Sequence, residues 1–112
     1  MNTIKVLIPS QLLSSSAATY YTTPANTKSA IKRLTVCNPT GTARAVTIYL
    51  IASGGTAGAS NTITYQRVVA AGATEIIWEA EGHALEVGGF IQALADSASQ
   101  VSIRATGVEF SA

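Results

Sequence analysis

Apolar and polar residues alternate with a period of two along most of this chain, and no window of eleven or more residues keeps apolar residues at helical spacing. The pattern predicts short strands over residues 3–8, 19–23, 30–38, 43–51, 63–69, 74–79, 84–87, 90–95 and 100–110, divided by Gly, Pro, Asn and Ser clusters. Pro9 and Pro24 are expected to stop the first two, because proline cannot donate to a ladder. Asn38, Pro39, Thr40 and Gly41 supply a tight turn, and residues 52–62, with three glycines and no charge, read as an exposed, flexible connection. Gly107 interrupts the last strand and suggests a bulge there that moves Val108 and Phe110 to a new face. The fold class that follows is all-β, a two-sheet antiparallel β-sandwich or jelly roll of about eight short strands.

Two places break the simple alternation and mark candidate contact surfaces. In 43–51, Val46, Ile48 and Leu50 share one face while Thr47, Tyr49 and Ile51 share the other, leaving a second face that is not purely polar. At the N-terminus Val6, Leu7 and Ile8 are consecutive, so a strand there presents apolar groups to both sides. Leu12 and Leu13 then enter a Ser-rich stretch with no tight turn to return them to a core. Residues 1–16 are therefore read as an N-terminal arm or an edge strand of a single domain spanning 1–112. Val6, Leu7, Ile8, Leu12, Leu13, Tyr49 and Ile51 are the interface candidates, and a symmetry mate covering the Thr47, Tyr49, Ile51 face predicts a homo-oligomer.

Composition narrows the partners. Only 12% of the 112 residues are charged and the net charge is +1, which leaves no basic face for nucleic acid and no attraction to an anionic membrane. Ala, Ser and Thr make 44 of the 112 residues, a surface of small neutral groups that costs little to desolvate against another protein. No stretch approaches the ~20 apolar residues of a membrane span. The apolar run near the N-terminus is broken by Pro9, Ser10 and Gln11, which argues against a cleaved signal peptide.

Reactive groups are few. Cys37, the single cysteine, and His83 could form a nucleophile and base, but Cys37 ends a half-apolar strand and reads as a packed thiol. His83 lies near Glu79, Glu81 and Glu86 in sequence, a set that reads as a solvated turn rather than a metal site. The run Gly54, Gly55, Thr56, Ala57, Gly58, Ala59, Ser60 lacks the Lys and Ser/Thr of a phosphate loop. No catalytic, cofactor-binding or metal-binding residue is assigned, and the expectation is a non-enzyme. Among the aromatics, alternation places Tyr49, Tyr65 and Trp78 in the core and leaves Tyr20 and Tyr21 as the exposed pair for an alternative reading, a module that binds host glycans.

Residues 31–108 resemble a class of small all-β virion proteins of tailed bacteriophages. The features that carry the resemblance are Ile31, Leu34, Val36, Cys37 and Asn38; the run Val46, Thr47, Ile48, Tyr49, Leu50; Ala59, Ser60, Asn61 in the glycine-rich loop; Ala71, Gly72 and Thr74; Gly82, His83 and Leu85; and Gly88, Gly89, Phe90 and Ile91. Gly89 departs from the Asp often found before the Phe90 strand. The resemblance implies a virion structural protein on the capsid exterior, made in the host cytoplasm, that decorates or staples the capsid by binding the major capsid protein. A neck or tail accessory subunit is the runner-up, and no enzymatic residue is carried over.

Overall fold

The computed structural model describes residues 3–111. Nine strands are found among them: β1 (Thr3–Leu12), β2 (Ala18–Thr22), β3 (Thr27–Cys37), β4 (Arg44–Ile51), β5 (Thr62–Val69), β6 (Thr74–Ile76), β7 (Ala84–Leu85), β8 (Phe90–Ala95) and β9 (Ser102–Ser111). One sheet runs β1-β9-β3-β6 with β7 also on β3, and the other runs β2-β8-β4-β5. Strands β6 and β7 lie on different stretches of β3, against Thr35, Val36, Cys37 and against Ser29, Ala30. The antiparallel pairs β1·β9, β2·β8, β3·β6/β7 and β4·β5 are those of one long folded-back chain, and β9·β3 and β8·β4 roll it up. That connectivity is a jelly roll.

The core fills the space between the sheets. Leu34 and Val36 of β3, Val46 and Ile48 of β4, Ile91, Ala93 and Ala95 of β8, and Ile103 and Ala105 of β9 are buried at every second position. Small alanines on β8 and β9 share one core cluster with larger β-branched and leucine side chains, a mixture suited to sheets packed about 10 Å apart.

The first strand does not end at Pro9. It continues to Leu12 because β1 stands at the open end of its sheet, where the missing N–H faces outward and breaks no ladder. Its three consecutive apolar residues are accommodated by a register shift between Val6 and Ile8, which lets Leu7 and Ile8 both turn inward and leaves Val6 outside. Burial of those two side chains stabilises the fold by about 2 kcal/mol each. Leu13 is buried as well. Its N–H donates to Val101 O at 2.8 Å and its carbonyl accepts from Ser99 N at 2.9 Å, so main-chain bonds, rather than a turn, bring it back.

Gly107 lies in a β9 whose alternation is uninterrupted: Ile103, Ala105 and Gly107 are all buried. The bulges sit in its two neighbours, between Val6 and Ile8 on β1 and between Ile31 and Arg33 on β3. A Cβ at 107 would stand 2.1 Å from Ala30 O and 2.6 Å from Leu7 Cδ1. The glycine therefore admits the close approach of two distorted strands and does not re-aim its own.

Candidate interaction surface

The interface candidates separate into two groups. Leu7, Ile8, Leu13 and Ile51 are buried within the chain itself and are not available to a partner. Val6 (38% exposed) and Leu12 (50%) remain outside, joined by Ile4 (74%), which the alternation with Val6 signalled but the candidate set omitted. All three lie on β1, whose outer flank has no strand beside it. The polar neighbours of this row are held by internal bonds: Lys5 Nζ lies 3.3 Å from Glu109 Oε1, and Arg104 Nη1 donates to Ser10 Oγ at 3.1 Å.

The second face of β4 is mostly covered from within. Thr47 is buried, and its hydroxyl accepts the N–H of Gln66 at 3.1 Å in a bulge of β5. Ile51 lies outside the main core and is covered by the glycine-rich loop, where a Cβ on Gly55 would come within 2.9 Å of Ile51 Cγ2. That loop is organised by Asn61, whose Oδ1 accepts from Gly58 N at 2.9 Å and whose Nδ2 donates to Thr56 O at 2.8 Å. Only Tyr49 of the three stays partly open.

The aromatic assignments reverse. Tyr21 is buried and Tyr20 packs against the core, its hydroxyl accepting from Ser14 N at 3.0 Å. Tyr65 is 71% exposed and Trp78 59%. Strand β6 ends at Ile76, and a 3-10 turn over Trp78–Ala80 shifts the phase, so Ile77 enters the core and Trp78 leaves it. The Arg33 guanidinium sits 5.8 Å from the Trp78 ring centre and within 3.2 Å of Glu81. Tyr49 and Tyr65 line a cleft of about 590 Å³ with Gly58, Ala59 and Thr62. A second hollow of about 350 Å³ is lined by residues that include Leu50, Ile63, Leu85, Asn61, His83 and Glu86.

Cys37 and His83 are not brought together. Cys37 pairs with Ser102 and Thr74, whereas the His83 carbonyl accepts from Ile31 N at 2.9 Å, six positions back along β3 or ~20 Å. Among the described residues no three His, Cys, Asp or Glu side chains gather where they could hold a metal ion.

No protein-family model matches the sequence, and no curated protein matches it. Two solved structures are similar. A subunit of Bacillus endospore appendages, described as disulfide-linked pili, superposes with a TM-score of 0.59 at 18% identity, over 98% of this chain and 88% of that one. A chain of infectious bursal disease virus, Gx strain, gives a TM-score of 0.47 at 16% identity, over 99% of this chain; the match spans 32% of the viral chain. At such identities the likeness to the appendage subunit is one of fold.

Proposed function

We propose that this chain is a structural subunit of a large assembly, and more finely that it decorates or staples a phage capsid by seating the outer row of β1 on the major capsid protein. The observation that carries the reading is the row Ile4, Val6, Leu12 on an edge strand with an open flank. Monomeric domains normally blunt such an edge with charge or cover it. Strand β1 carries devices of that kind, Lys5, Pro9 and two register shifts, yet Ile4 and Leu12 stand at least half exposed among them, which suits an outer face that is covered in the working state. The small neutral side chains elsewhere add contact area at low desolvation cost. The chain of similar fold comes from Bacillus endospore appendages that form pili, which lends support to a second reading, a neck or tail subunit that contacts further copies of itself.

The test uses purified particles. Quantitative mass spectrometry of wild type and of an Ile4→Glu, Val6→Glu double variant gives copies per particle. The capsid reading expects a copy number that scales with capsomers and falls sharply in the variant while the free protein stays folded. A copy number matching one ring moves the chain to the neck or tail, and undiminished incorporation of the variant removes β1 as the docking edge.

A further inference from the structure

We propose that the outer face of β4 and β5 carries a binding subsite for an uncharged saccharide, held between Tyr49 and Tyr65. The cleft is on the other sheet from the β1 edge and stands independently of the assembly reading.

Three observations lead there. Tyr49 of β4 pairs in register with Thr62, and Tyr65 follows on the same outer side of β5, so two phenol rings flank one opening. Between them lie Gly58, Ala59 and Thr62, residues too small to fill the space, and the volume of about 590 Å³ falls within the ~300–1,000 Å³ of small-molecule sites. Tyr65 is also held outward by a specific device. Two residues of β5, Tyr65 and Gln66, oppose Thr47 alone, and Gln66 takes φ +47°, a left-handed conformation uncommon for a residue other than glycine. The Thr47 hydroxyl fixes it by accepting the Gln66 N–H. Backbone strain of this kind clusters at ligand-binding positions, and bulges serve to re-aim a neighbouring side chain.

The chemistry of the lining selects the ligand. Aromatic faces pack against the C–H face of a sugar ring, and the phenol and Thr62 hydroxyls provide hydrogen-bonding partners for its OH groups. No Lys, Arg, Asp or Glu lines the cleft, so nothing neutralises a sialic acid, a sulfate or an ammonium group. The turn Ala59–Asn61 borders the opening, which suits one or two sugar rings better than an extended proline-rich peptide.

The experiment is an array of neutral hexose and N-acetylhexosamine oligosaccharides, with sialylated and sulfated glycans alongside, probed with the full chain. Calorimetric titration of the strongest neutral hit follows, with decaproline as a competitor. Because Tyr65 is exposed, Tyr65→Ala should fold with an unchanged melting temperature, lose roughly tenfold or more in affinity, and regain most of it as Tyr65→Phe. Absence of saturable binding to any neutral glycan overturns the proposal, as does equal affinity of Tyr65→Ala. Displacement by decaproline would reassign the cleft to a peptide. A shift from dimer to monomer in sedimentation of Tyr65→Ala, without glycan binding, would reassign it to a second copy of the chain.

Discussion

The Tyr21 hydroxyl donates to Glu109 Oε2 at 2.5 Å, and because Tyr21 belongs to β2 and Glu109 to β9, this bond ties the two sheets together. Lys5 of β1 reaches the other carboxylate oxygen at 3.3 Å. Burial of the phenol, and then its bond to Glu109, push the Tyr21 pKa up to about 12. The folded chain thus holds this proton more tightly than the unfolded chain, whose tyrosine titrates near 10. The stabilisation is complete below pH 10 and is lost as pH rises from 10 to 12. Tyr21→Phe should cost about 1.5 kcal/mol near neutral pH, or roughly 5 °C in melting temperature. Melting curves of both proteins at pH 8 and pH 11.5 check this, and the gap between them should narrow at the higher pH.

Gly107→Ala is expected to be among the most damaging single-methyl changes available. The added carbon would meet backbone at Ala30 O, which cannot rotate away, and Leu7 Cδ1, which is itself packed. Overpacking of this sort costs ~3 kcal/mol. Urea denaturation should show the midpoint falling, and a loss under 1 kcal/mol would contradict the strand spacing described above.

Removing residues 3–10 should collapse the fold. The deletion takes Leu7 and Ile8 from the core and exposes the edge of β9 along most of its length. A truncated protein with a sharp melting transition near that of wild type would mean that the segment is an arm after all. By contrast, Ile4→Ser and Val6→Ser should each move stability by no more than ~0.5 kcal/mol.

That contrast shows what the sequence could and could not reveal. Period-two alternation located β3, β4, β5, β8 and β9 closely, because their apolar positions are spaced by the pleat itself. It failed for individual side chains beside a bulge or turn that changed the phase. Val6, Leu7 and Ile8 look identical in the sequence, and only the register against β9 decides that the first faces out and the other two face in. Trp78 was lost to the core for the same reason, since a 3-10 turn after Ile76 replaces the strand. Tyr65 depends on Gln66 adopting φ +47°, a position where glycine would have announced the bend and glutamine does not. The cover over Ile51 comes from a loop with no large side chain, a contact that hydrophobic patterning does not register.

Acid stability should report on the link between β5 and the turn after β6. Arg67 Nη1 lies 3.0 Å from Glu79 Oε1 and Nη2 lies 3.2 Å from Glu75 Oε1, and the Thr64 hydroxyl donates to Glu79 Oε2 at 3.1 Å. Burial alone would raise the Glu79 pKa, but its own backbone N–H, the Thr64 hydroxyl and Arg67 together hold it below the ordinary carboxylate value. A depressed folded pKa means stability present above the unfolded value and lost as pH falls through the folded one. Both partners are partly exposed, so Glu79→Gln should cost under ~1 kcal/mol at pH 7. The gap between variant and wild type should shrink as pH is lowered from 7 into the acid range, and melting curves along that series check it.

Asn38 offers a sharper pH test, because its buried amide is satisfied on all sides. Nδ2 donates to Thr42 O at 2.8 Å and Val69 O at 3.0 Å, while Oδ1 accepts from Thr40 N at 3.1 Å and Thr40 Oγ1 at 2.6 Å. These bonds fasten the turn after β3 to the end of β5. Asn38→Asp preserves the shape but replaces a two-hydrogen donor with a carboxylate oxygen facing two carbonyl oxygens in a buried site. The loss should reach ~3 kcal/mol at pH 7, more than a missing hydrogen bond alone. Burial and the facing carbonyls favour the protonated acid, so the folded pKa of the new group rises above its unfolded value near 4. The variant should accordingly recover stability relative to wild type as pH is lowered toward 4, since a protonated oxygen can again donate to one of the two carbonyls. Urea titrations of both proteins at pH 7 and pH 4 measure that recovery. A deficit that stays constant or grows between those values would show that the turn tolerates the charge by opening to solvent, and the anchoring role of Asn38 would have to be abandoned.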